Sequence, residues 1–113
     1  MQWPGSYTFL PERLRNKGSS GRVSVLKALL VKHMESSWRE APSGTVLKCI
    51  TTPLKDGPLA ALLPPKSTGP IIKCLDTALM LLELKPEGGS RMDGGSFLRG
   101  RTLIEGADRL LCQ

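Results

Sequence analysis

Apolar residues recur along two stretches of this chain at intervals that fit a helix. In Arg22–Glu40, the residues Val23, Leu26, Leu30, Met34 and Trp38 step by three or four. Val25 and Leu29 widen the stripe, and Lys27, Lys32, Glu35 and Arg39 fall off it. Such spacing places side chains on one helical face, and Pro42 and Gly44 supply a stop. Alternation at Val23–Val25 offers a competing strand, which yields to the length of the periodic segment. Over Pro70–Lys85, the residues Ile71, Ile72, Leu75, Ala78, Leu79, Leu82 and Leu84 form a broad apolar arc. Lys73, Asp76, Thr77, Met80 and Glu83 mark the strip that remains. Pro70 suits a first helical turn, where its missing N–H costs nothing, and Pro86 and Gly88-Gly89 end the segment. A helix this apolar is expected at the centre of the core.

The remaining chain punctuates these two elements. Residues 1–21 read as an irregular basic arm, in which Tyr7 and Phe9 would share one face of any short strand. Thr45–Thr51 is rich in β-branched residues between Ser43-Gly44 and Pro53, and predicts a short strand. Prolines at 53, 58, 64, 65 and 70 leave Leu59–Leu63 room for little more than one helical turn. The tandem Glu87–Met92 and Asp93–Leu98, each carrying Gly-Gly-Ser, reads as a Gly/Ser-rich linker over residues 87–101. Thr102 and Glu105 stand at capping-box spacing, and Glu105 and Arg109 at i,i+4, so a weaker C-terminal helix is expected over 102–112. The expected architecture is mainly α: one small domain over residues 22–86, Pro/Gly-rich connections, and a C-terminal helix within 102–113.

Composition narrows the function more than the fold. The 113 residues carry 16 Lys and Arg against 10 acids, a net charge of +6. Residues 1–40 hold seven basic residues against three acids, residues 41–86 five against three, and residues 87–113 four against four. The excess therefore belongs to the first third. Three separated cysteines (Cys49, Cys74, Cys112) and the single His33 show no metal-ligand spacing. No apolar run reaches the roughly 20 residues of a membrane span, and the N-terminus lacks a signal-peptide pattern. These features predict an intracellular chain, cytoplasmic or nuclear, without cofactor or metal.

Catalytic signatures are equally sparse. There is no Gly-x-Ser-x-Gly elbow, and His33 is the sole conventional imidazole base; Cys49 with His33 and an acid is arithmetically possible, as in any chain that holds a Cys and a His. Pro65-Lys66-Ser67 has the Lys-Ser of a phosphate loop, but proline stands where glycine is needed. The expectation is a non-enzymatic regulatory or accessory protein that binds another protein through an amphipathic helix, with Leu26, Leu29, Leu30, Met34 and Trp38 as the binding face. Leu26–Leu30 and Leu59–Leu63 both match Leu-x-x-Leu-Leu, which resembles the short helical box that coactivators lay into a groove on nuclear receptors. Val25, Leu29 and Met34 also follow the 1-5-10 spacing of calmodulin targets. One alternative is a basic nucleic-acid-associated protein. Arg13, Arg15, Lys17 and Arg22 would meet phosphates of RNA or single-stranded DNA, with Trp3, Tyr7 and Phe9 nearby and Phe97 beside Arg99-Gly-Arg101. A second alternative is the product of an unusual reading frame with no settled biochemical role.

Overall fold

Neither long apolar stretch is the expected helix: residues 22–31, 70–74 and 77–85 are strand, and only Ser36–Arg39 of the first stretch is helical. The computed structural model describes residues 7–11, 14, 21–32, 34–74 and 77–110. In chain order it forms β1 (Tyr7–Phe9), β2 (Arg22–Val31), α1 (Ser36–Arg39), β3 (Val46–Ile50), α2 (Pro58–Leu62), β4 (Gly69–Cys74), β5 (Thr77–Pro86), β6 (Met92–Asp93) and α3 (Gly94–Gly100). The strands make one antiparallel sheet in the order β1-β2-β5-β4-β3, with β6 paired to β5. The expected mainly helical architecture is therefore incorrect, and helix is confined to three short elements among the described residues.

The reason lies in which faces are covered. From β4 and β5, Ile72, Cys74, Leu79, Leu81 and Leu84 pack on one side of the sheet with Val23, Val46 and Phe97. Ile71, Ala78 and Met80 pack on the other side with Val31, Trp38, Ile50 and Leu59. A strand buried on both faces reads as a nearly continuous apolar run. Periodicity alone does not separate such a run from a buried helix. Residues 75–76, part of the expected arc, lie outside the described residues.

β2 imitates a helix for a different reason. Its pairing with β5 slips between Val25 and Lys27 and again between Lys27 and Ala28. Before the slip, Val23 and Val25 enter the first cluster. After it, Ala28 packs against that cluster, whereas Leu29 and Val31 join the second. A bulge adds one residue to one strand of a pair, so Val25 and Ala28, three apart, come to share a face. Trp38, the last member of the expected stripe, is not on this element at all. It sits on α1 and is 5% exposed.

Other segments follow their local chemistry. The strand expected over Thr45–Thr51 is β3, and the proline-walled turn is α2. In place of a linker, Gly88 (φ +75°) turns the chain back so that Met92 and Asp93 pair with β5, and α3 follows. Asp93 caps α3 by accepting the Ser96 N–H at 2.7 Å. That bond, followed by the nearby Arg99 charge, holds the Asp93 carboxyl below its ordinary range. Beyond α3 no helix forms through residue 110. Gly106 has φ +79°, its N–H bonds the Val46 carbonyl, and Thr45 bridges Arg109.

Candidate functional site

The two stretches that combine rings with cations, some eighty residues apart in sequence, meet at one cavity. Arg22 opens β2, and its guanidinium lies 4.9 Å from the centre of the Tyr7 ring on the paired strand β1. Arg101 follows α3, and its guanidinium lies 4.9 Å from the centre of the Phe97 ring. Each such placement contributes about 0.5–1 kcal/mol at an exposed site and fixes where the cation points. Both arginines line a cavity of about 220 Å³, together with Leu14, Gly21 and Glu87. Gly21, at φ +75°, makes the turn into β2, and its carbonyl accepts the Leu10 N–H at 2.8 Å. Glu87 is held on the opposite side of the pairing, its N–H donating to the Arg22 carbonyl at 2.9 Å. Tyr7 and Phe9 meet edge to face at 6.2 Å, the arrangement expected for a two-residue spacing on a strand.

The other expected residues separate. Of the partner-binding set, Leu26 and Leu30 are exposed (38% and 46%), Leu29 and Met34 pack against the second cluster, and Trp38 is core. They do not share a helical face, because residues 22–31 are a strand. In the second leucine box, Leu59 is buried and Leu62 exposed on the short α2. Of the cationic set, Arg22 reaches the cavity, whereas Arg13, Arg15 and Lys17 lie outside the described residues, as do Trp3 and His33. Phe97 is fully buried, so its ring supports Arg101 and is closed to a base. Arg99 turns away, toward the Thr51 carbonyl and the Ser96 hydroxyl.

Cys49 is half-buried, and its thiol is pushed up to about 11, first by burial and then by the carboxylates of Glu105 and Asp108. Attack requires the thiolate, so this cysteine is poorly placed as a nucleophile. Its alkylation by iodoacetamide should be slow at pH 7–8 and accelerate only as the pH approaches about 11. Rapid labelling of the folded chain at pH 8, followed by mass spectrometry of the modified peptide, would contradict this placement. No cluster of three His, Cys, Asp or Glu suited to a metal occurs among the described residues, and no helix there is long and apolar enough to cross a membrane.

The sequence model for "Formyl transferase, C-terminal domain" matches residues 1–102, from the N-terminal arm through the arginine that lines the cavity. The chain belongs to this family. No curated protein matches it. Membership in a formyl transferase family corrects the expectation of a non-enzymatic regulatory protein that acts through an amphipathic helix. As a statement of what the chain is, it equally displaces the alternatives of a basic nucleic-acid-associated protein and of a reading-frame product with no settled biochemical role; it does not bear on the separate expectation of an RNA or single-stranded DNA partner. A chain of this formyl transferase family belongs with enzymes, and the exposed Leu26 and Leu30 of the expected binding face lie on a strand.

Two features of the formyl transferase domain had no signal in the residue pattern. Lys73 of β4 is buried among carbonyls of α1, and Gly69 and Gly94 bring β4 and α3 into backbone contact. The only hint of the second was the repeated Gly-Gly-Ser, which composition assigns to a linker.

Proposed function

We propose that this chain serves a formyltransferase by holding its acceptor, and that the acceptor is an RNA. The observation that carries the reading is the convergence of Arg22 and Arg101 on one cavity, with the exposed Tyr7 ring beside Arg22. Guanidinium forks bind phosphate oxygens through paired N–H bonds, and an accessible ring offers a stacking face to an unpaired base. Leu14 and Gly21 border the cavity. In sequence they bracket Arg15 and Lys17, and Arg13 adjoins Leu14, so four of the seven basic residues of 1–40 fall within residues 13–22. A lone phosphate ester needs no such run of cations, whereas a polyanion does. Glu87 supplies one acid in the same cavity. It offsets repulsion between the two guanidiniums when no phosphate is present.

A filter-binding titration against single-stranded RNA over a range of salt concentrations tests this. Binding should weaken steeply with salt. The Arg22→Ala and Arg101→Ala variants should each flatten the log–log slope by about 0.7, the value for one lost phosphate contact on a single strand. Glu87→Gln should strengthen binding. Affinity that ignores salt, or variants that bind like the parent, would remove RNA as the acceptor.

A further inference from the structure

The residues matched to the family end at 102, and the segment that follows lies along the outer edge of β3, the last strand of the sheet. Leu103 and Leu110 are buried and pin this strap at both ends, while Ile104, Glu105, Gly106 and Ala107 between them are exposed. The Val46 N–H donates to the Asp108 carbonyl at 2.9 Å, the Gly106 N–H to the Val46 carbonyl at 2.7 Å, and the Leu110 N–H to the Gly44 carbonyl at 2.7 Å. The Cys49 N–H donates at 2.6 Å to the Glu105 carboxylate, a side chain standing where a neighbouring strand would offer a carbonyl. One antiparallel bridge results, Thr45 with Arg109, and Gly106 turns the strap out of regular extension. An edge strand stripped of such a cover presents rows of N–H and C=O groups that template another strand. An irregular cover satisfies fewer of those groups than a regular strand does.

We propose that the 103–110 strap is a displaceable cover over a strand-docking edge. The partner this edge fits is an extended peptide running antiparallel to β3, with a leucine near each end and a carboxylate between them. The strap is the internal version of that ligand, and a regular strand gains ladder bonds that the strap forgoes. Release parts the strap's bonds and draws Leu103, Asp108 and Leu110 out of burial, without parting the β4–β5 pairing at the centre of the sheet. This device does not depend on the RNA reading of the arginine cavity.

Two measurements on the full chain decide it. In native-state hydrogen exchange, the amides of Val46, Cys49, Gly106 and Leu110 should exchange as one group, faster than the β4–β5 ladder amides. Exchange of that group only with global unfolding would overturn the proposal. The second uses a fluorescent synthetic peptide with the sequence of residues 103–110 as the probe. It should bind the chain saturably, and Glu105→Ala in the chain should tighten binding about tenfold, because one charge-assisted bond of the competitor is gone. The matching change in the peptide should weaken it. Absence of binding to the parent chain, or to a Glu105→Ala chain that keeps its melting transition, would equally refute the proposal; if that variant fails to fold, exchange and peptide binding of the parent chain decide.

Discussion

Gly94→Ala is expected to destabilise the domain by about 3 kcal/mol and to lower its melting temperature by roughly 10–20 °C. A Cβ at this position would overlap the Leu81 carbonyl oxygen and the Gly69 Cα, and would stand 2.5 Å from the Thr68 carbonyl oxygen. All three obstacles are backbone atoms of β4, β5 and the approach to β4, so no side chain can swing aside to make room. Gly69 faces it from the sheet at φ +147°, and a Cβ there would strike the same Leu81 carbonyl. These paired glycines let α3 lie directly on the strands and deliver Phe97 and Leu98 to the first cluster. They also set the position of Arg101 at the cavity. Gly100, which would meet nothing within 4 Å, is the control. Gly100→Ala should change stability by less than about 0.5 kcal/mol. Calorimetry that finds Gly94→Ala as stable as Gly100→Ala would contradict the close packing of α3.

Where side-chain chemistry alone decides local structure, the sequence was legible. β-Branched residues between a Ser-Gly turn and a proline mark β3, and prolines at 58 and 64 confine α2. The alternation of Tyr7 and Phe9 correctly pairs their rings if a strand forms there. The misreadings arise where tertiary structure reshapes the pattern. The bulge in β2 converts a two-residue period into a three-residue step, and burial on both faces erases the period in β4 and β5. A strand assignment for either segment required knowing what covers it. The site was legible in part. Arg22 and the Phe97–Arg101 patch stand out in sequence, but their meeting depends on β1 pairing with β2 and on α3 seating against the sheet. Arg99 and Arg101 look alike in sequence, yet Arg101 turns to the cavity and Arg99 away from it. Nothing in the order of residues distinguishes Lys73 from a solvent-facing lysine.

Lys73→Met should cost about 3 kcal/mol despite preserving the length and most of the apolar stem of the side chain. Lys73 is 4% exposed on the face of β4 that carries Ile71, and its partner across the ladder is the small Ala78, which leaves room for the stem. Its Nζ donates to the carbonyls of Trp38, Arg39 and Ala41 at 2.8, 3.1 and 3.3 Å. The carbonyls that close a helix have no partner within it, and α1 is only four residues long. A buried cation that donates three bonds at that end supplies what the helix cannot, and it also complements the negative end of the helix. Methionine would withdraw all three N–H bonds; the Trp38 carbonyl keeps the Ala41 N–H at 3.2 Å, so the loss falls on the part-buried Arg39 and Ala41 carbonyls, at about 1–3 kcal/mol for a group left unsatisfied. Trp38 sits on α1 and is otherwise sealed in the second cluster, so its emission should shift to the red as α1 loosens, before the main melting transition. Lys48→Met on the half-buried β3 offers a comparison that removes the same charge without the cage. If both variants melt together and neither shifts the tryptophan emission, Lys73 does not hold α1 against the sheet. If only Lys73→Met shifts it, this one side chain couples the outer helix to the central strands.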